Sequence, residues 1–296
     1  MRKLLSANFA RLFKDKIFWI CMILMAAIGF YVYITSVVRE MGQFGLDLAP
    51  EDNLFGFCMF TAIFQSVFVS IFVGTEYNDG TIRNKLAVGH SRPAIYLSNV
   101  IVCAAAGLLM CLAYIAAALV IGLSAMGGFE TNPGTVLLYA GASFLMSISF
   151  SAIFTFVAML IQNRSIVAVI NIVGVFTLLM AAVYMQTMLS EPEIQKNYSY
   201  AVGQDTGTIQ EEPNPNYVDG IQRDIYTFLN DFLPSGQTLA LTAGESPHPQ
   251  RLALYSGIII VAVSVTGKCA VWRHPLTASW PFCAGSATGM SRETRN

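Results

Sequence analysis

Six mostly apolar stretches divide the chain, at about 17–38, 54–73, 95–121, 136–161, 165–189 and 252–271. Each is long enough, at 1.5 Å per helical residue, to cross about 30 Å of hydrocarbon. The last is the shortest, and its downstream edge is irregular. Of the 296 residues 55% are hydrophobic and only 12% charged, whereas soluble domains carry about 25% charged residues. The expected fold is therefore all-α: a polytopic membrane protein with six transmembrane helices.

Lys and Arg beside a span resist translocation, so the cations set the orientation. With the N-terminus inside, Arg2, Lys3, Arg11, Lys14, Lys16, Arg83, Lys85, Arg92, Arg164, Lys268, Arg273, Arg292 and Arg295 face the cytoplasm, thirteen of the seventeen. The same assignment places fourteen of the eighteen carboxylates outside, nine of them between the fifth and sixth spans. Both ends are thus expected in the cytoplasm.

Residues 1–16 do not read as a cleaved signal, because the apolar run after them is about 22 residues long and ends in no small-x-small site. Leu4, Leu5, Phe9, Leu12 and Phe13 recur at helical spacing. That pattern predicts an amphipathic helix in the inner headgroup layer, or a plain basic flank anchoring the first span. Cys21, Cys58, Cys103 and Cys111 lie in spans, Cys269 lies at the end of the last and Cys283 beyond it, so the long segment between spans five and six has no disulfide framework.

Catalytic patterns are missing. His90, His248 and His274 all fall outside the confident spans, which leaves no intramembrane Ser–His pair and no H-E-x-x-H metal site. Gly141-Ala142-Ser143 reads as small residues that let helices approach. Gly267-Lys268 lacks the glycine of a phosphate-binding loop five positions earlier, where Ala262 stands, so no nucleotide hydrolysis is expected of this chain. Nucleic acid is not an expected partner. The spans are nearly free of charge, and Gln65, Asn99, Asn171 and Gln186 are expected to form hydrogen bonds between helices. An ion-coupled carrier keeps a charge at membrane depth, so if this chain moves a substrate the energy comes from elsewhere.

One polar island, "TEYNDGTIRNKLAVGHSRPAIYL" at 75–97, lies between the second and third spans. Asp79 or Thr81 can cap a short helix, Ile82 and Leu86 share one face of it, Arg83 and Lys85 lie off that face, and Gly89 suits its end. Pro93 belongs in the first turn of the third span and pushes Arg92 out of helical geometry. Glu76 is a candidate partner for Arg83 or Arg92, or an ordinary solvated carboxylate at the membrane interface. The apolar pair Ile82 and Leu86 is expected to seat in a groove of a soluble motor protein.

In the segment 190–250, acidic and rich in Pro, Asn and Gly, Val218, Ile221, Ile225, Phe228, Leu229 and Phe232 form one helical stripe, broken at Pro234. A helix on the outer leaflet, a lid over a permeation path, and simple packing against the spans all fit that stripe.

Glu76, then Gly80-Thr81-Ile82-Arg83, then Ser91-Arg92, set between a second and a third span, resemble the permease subunits of the ABC transporter type-2 exporter superfamily, small bacterial six-span type. "NPNYVDGIQRDIYTFLNDFLPSGQ", at 214–237, is similar to the segment those permeases carry before their last span. The resemblance implies a dimer with a second permease copy or homologue, bound to separate ABC ATPase subunits that hold ATP and Mg, in the plasma membrane of a bacterial cell. It also implies that residues 1–16 are an elbow helix and that 80–88 are a coupling helix, with Glu76, Asp79, Gly80, Thr81, Ile82, Arg83, Lys85, Leu86 and Arg92 serving the ATPase contact. Residues 267–296 depart from the short basic tail of such permeases, mixing Trp272, Trp280 and two cysteines without periodicity; a shifted reading frame near Val265 or a different natural tail accounts for this. The expected function is that of an exporter's permease with no catalytic site of its own. A non-transporting sensor or assembly subunit is the alternative from another class, and an ion-coupled carrier is the alternative within transport.

Overall fold

The structure, a computed structural model, describes residues 1–45, 47–161, 163–199, 208–244 and 248–273. Ten α-helices and a two-stranded hairpin form among them: α1 (Arg2–Lys14), α2 (Lys16–Thr35, continued by a π-helical turn Ser36–Met41), α3 (Phe57–Asn78, preceded by a 3-10 turn Leu54–Gly56), α4 (Thr81–Ala87), α5 (Arg92–Ala125), α6 (Pro133–Leu160), α7 (Arg164–Ser190), β1 (Ile194–Ser199), β2 (Thr208–Pro213), α8 (Gly220–Phe232), α9 (Pro234–Thr242) and α10 (Pro249–Arg273). Six of these helices are long and apolar enough to cross a membrane: Lys16–Met41, Leu54–Asn78, Arg92–Ala125, Pro133–Leu160, Arg164–Ser190 and Pro249–Ala270. All six expected spans are present. Part of the atypical tail, 274–296, lies outside the described residues.

Polar punctuation explains where the helices start. Asp15 takes an extended conformation between α1 and α2 and accepts from the Ile17 N–H at 2.8 Å. Pro133 opens α6 behind Asn132, which accepts from Gly134 N at 2.9 Å. Asn163 caps α7, its Oδ1 accepting from Ser165 N at 3.0 Å. Arg92 is the first residue of α5, with Ser91 extended before it. Arg92 is therefore helical, against the sequence expectation. Pro93 in the first turn lacks only a donor that a helix start leaves unpaired, so it does not displace its neighbour.

α5 lies at the centre, packed against α1, α2, α3, α6 and α10, and α3 packs on α6 and α7. Phe18, Cys21, Met25, Gly29 and Tyr33 form the buried stripe of α2, while Ile20, Ile23, Tyr31 and Ile34 stay exposed on its outer side. Apolar side chains gain little by leaving lipid for protein, so contact between these helices depends on close fit and polar pairing. Gln65 donates to Ser147 Oγ at 2.6 Å, Asn171 donates to Ser70 Oγ at 2.9 Å, Asn99 joins a buried network on α5, and Gln186 accepts from Asn230 at 3.1 Å. The expectation of interhelical bonding at these four residues holds. Gly141 is different: it faces open space, and only Ala142 and Ser143 of its triplet are buried.

At the end of the bundle opposite α4, the chain builds more than the single helix expected. The hairpin pairs Ile194 with Pro213 and Ser199 with Thr208. Pro234 does end the stripe of α8, but it also opens α9, whose residues Pro234, Ser235, Gly236, Gln237, Thr238 and Leu241 are buried among α3, α6 and α7.

Candidate functional site: the α1–α3–α4–α5 corner

α3 runs out of the bundle through Glu76 and ends at Asn78 with Asp79 as its cap. Gly80 then takes φ 65°. That left-handed conformation is cheap only for glycine, and it turns the chain directly into α4. Gly80, rather than Asp79 or Thr81, is thus the residue that starts the short helix. Gly89 at φ 92° ends it, and three residues later α5 begins.

Glu76 is 1% exposed. An ionised carboxylate can be buried only with its oxygens satisfied, and here they are. Oε1 accepts from Arg11 on α1 and from Lys85 on α4, and Oε2 accepts from Asn99 on α5 at 2.9 Å. Arg11 also donates to the Phe72 carbonyl and lies 4.1 Å over the Phe72 ring. Asn8 closes the circuit: its Nδ2 donates to Ser98 Oγ and Asn99 Oδ1, each at 2.9 Å, and its Oδ1 accepts from Lys85 Nζ at 2.9 Å. One carboxylate with two cations leaves a net positive centre, and it holds α1, α3, α4 and α5 in a single arrangement. Tyr77 extends it to α6, donating to the Met159 carbonyl at 2.9 Å.

The partners of Glu76 are thus Arg11 and Lys85, not the Arg83 or Arg92 expected. Lys85 faces the chain's own core, because it lies three residues after Ile82 on the inward side of α4. Ile82 is 4% exposed and Leu86 packs on the same core. Ile82 is thus turned to the chain's own core and not outward as expected, whereas Leu86 is only half-buried. The face that α4 turns outward holds Arg83, Asn84, Ala87 and Val88, with Val88 79% exposed at the tip. Asp79 is exposed, and Thr81 and Arg92 are half-buried beside it.

α1 is likewise more than a headgroup anchor. Leu4, Asn8 and Leu12, spaced i, i+4 and i+8, form its buried face against α5. Sequence reasoning missed Asn8, Arg11 and Ser98 as members of the network. The one available signal was Asn8 itself, a polar residue on the apolar stripe of the first helix.

At the other end, the stripe on α8 divides. Ile221, Ile225 and Phe228 are exposed, whereas Leu229 and Phe232 are half-buried and Val218 precedes the helix. Phe228 and Phe232 both pack edge-on against Tyr255 of α10, at 6.0 and 5.7 Å.

The model of the ABC-2 type transporter family matches residues 1–201 of the chain, which takes in the whole corner described above. A search of curated proteins returns no match.

Proposed function

This chain belongs to the ABC-2 type transporter family, the membrane-embedded permeases of ABC transporters, and we propose that it forms the translocation path of an ATP-driven exporter whose ATPase is a separate subunit docked on α4. The reading extends to a dimer with a second copy or homologue in a bacterial cell membrane, with both termini cytoplasmic. The cation count at the α4 end supports that orientation. ATP and Mg then belong to the partner, and this chain supplies no catalytic group.

The observation that carries the proposal is the two-sided character of α4. Its inner side is tied through Lys85 and Ile82 to α1, α3 and α5, while Val88 is left exposed outside. A helix fixed on one side and exposed on the other, with Val88 at its tip, can receive a push and pass it to α1 and to two membrane-spanning helices at once. Burying an aliphatic side chain such as Val88 contributes about 1.5–3 kcal/mol, whereas an exposed ion pair through Arg83 contributes about 0–1 kcal/mol.

Val88→Asp is therefore expected to leave folding and insertion unchanged and to reduce co-purification of the ATPase about tenfold, equivalent to roughly 1.4 kcal/mol. Arg83→Ala is expected to be milder. Ile82→Asp should lower the folded yield instead, because it puts a charge in the chain's own core. Wild-type ATPase recovery with Val88→Asp would remove α4 as the docking element.

A further inference from the structure

A cavity of about 480 Å³ lies at the end of the bundle opposite α4, where the end of α7, one face of α8 and the start of α10 meet. Arg223, Thr227, Asn230 and Asp231 line it from α8, and His248 and Arg251 from the start of α10. Among the described residues this end of the chain carries only four cations, Arg39, Lys196, Arg223 and Arg251, against twelve carboxylates. Two of the four converge on this one space.

Arg223 is held in place without a carboxylate partner among the described residues. It donates to the Val218 carbonyl at 3.3 Å and to the Leu189 carbonyl at 3.1 Å, and its guanidinium lies 5.2 Å from the Tyr217 ring centre. Arg251 has a loose carboxylate neighbour, Asp231 Oδ2 at 3.5 Å. Two arginines against one aspartate leave the lining net positive. α10 also begins here, at Pro249, and the start of a helix favours an anion.

The surroundings say which anion. Around the cavity, Tyr184 of α7 packs on Tyr226 of α8, and Tyr255 of α10 packs on Phe228 and Phe232. Aromatic side chains gather at headgroup depth. Deeper along both flanking spans the surface is apolar and exposed, at Met180 and Val183 on α7 and at Leu254 and Ile258 on α10. A ligand with its charge in the cavity would lay its apolar part along these helices. The geometry points to a binding site for the phosphate headgroup of a phospholipid in the leaflet at this end. This rests on the membrane-spanning fold and not on ATPase docking.

The test uses the intact purified permease, delipidated in detergent and titrated with dioleoylphosphatidylglycerol, dioleoylglycerol or inorganic phosphate, with native mass spectrometry counting retained adducts. Wild type is expected to retain a phosphatidylglycerol that Arg251→Gln and Thr227→Phe each weaken about tenfold, the scale of one charge-assisted hydrogen bond. Thr227→Phe fills the cavity and leaves every charge in place. Arg251 is half exposed, so its replacement leaves folding intact and stands as a separate reading. Equal retention by wild type and both variants would overturn the site. Equal retention of dioleoylglycerol, or displacement by millimolar inorganic phosphate, would overturn the assignment to a lipid phosphate.

Discussion

Glu76→Gln is expected to lower the thermal unfolding midpoint of the detergent-solubilised permease by about 10 °C, taking a loss of 3–5 kcal/mol and about 2–4 °C per kcal/mol. The substitution keeps the size and shape of the side chain, so no cavity forms. What it removes is the single negative charge facing Arg11 and Lys85. Both cations, with side chains 29% and 13% exposed, then face an amide whose single oxygen cannot accept from them and from Asn99 together. The loss is electrostatic, and it has a signature. Adding Lys85→Met to Glu76→Gln removes one of the two uncompensated cations and is expected to restore a large part of the lost stability. The pair in a double-mutant cycle then shows strong coupling. A midpoint within about 2 °C of wild type for Glu76→Gln alone, the range of an ordinary surface change, would mean that the corner is held by packing and not by this carboxylate.

Gly236→Ala is expected to be almost as damaging, and for a steric reason. A Cβ at Gly236 would stand 2.1 Å from the Asn230 carbonyl oxygen and 2.7 Å from its carbon. The obstacle is backbone, so no rotamer change relieves it and α9 has to move off α8. α9 is enclosed by α3, α6 and α7, and Asn230 is tied to Gln186 by a 3.1 Å hydrogen bond. Overpacking of this kind costs about 3 kcal/mol or more, which corresponds to a midpoint lower by roughly 6–12 °C. Gly141→Ala is the control. It lies inside α6 with nothing within 4 Å, so it should hold or slightly raise the midpoint. Size-exclusion profiles after graded heating separate the two, and equal behaviour would show that the α8–α9 corner yields freely.

The spans were legible because each is a continuous apolar run, and no other backbone arrangement than a helix satisfies its own hydrogen bonds at membrane depth in a single segment. α4 was legible for a different reason. Between Gly80 and Gly89 there is room for about two turns, and Ile82 and Leu86 fall one turn apart. Which way that face points was not legible. Two apolar residues on a short helix give one pattern whether they cover the chain's own core or a partner's groove, and only the fold shows Ile82 turned inward. The partners of Glu76 were hidden by distance along the chain, since Arg11 lies 65 residues away and Asn99 lies 23 away. α9 was hidden by its small and polar composition. Ser235, Gly236, Gln237 and Thr238 read as a loop after a proline, yet small residues are what a helix inserted among three others requires. The hairpin strands, Ile194–Ser199 and Thr208–Pro213, carry too little alternation to separate them from the acidic loop around them.

The central claim is that the outer face of α4 touches the ATPase. The most direct measurement places a photo-crosslinking amino acid at Val88 in one permease and at Ile221 in another, each co-expressed with a candidate ABC ATPase from the same genome, and looks for a joined product after illumination of membranes. Both positions are 79% exposed, so accessibility does not distinguish them; the two lie at opposite ends of the bundle. A permease–ATPase adduct from position 88 and none from position 221 is the predicted result. An ATPase that co-purifies with the permease but yields no adduct from position 88, or that is captured from position 221, would contradict the account.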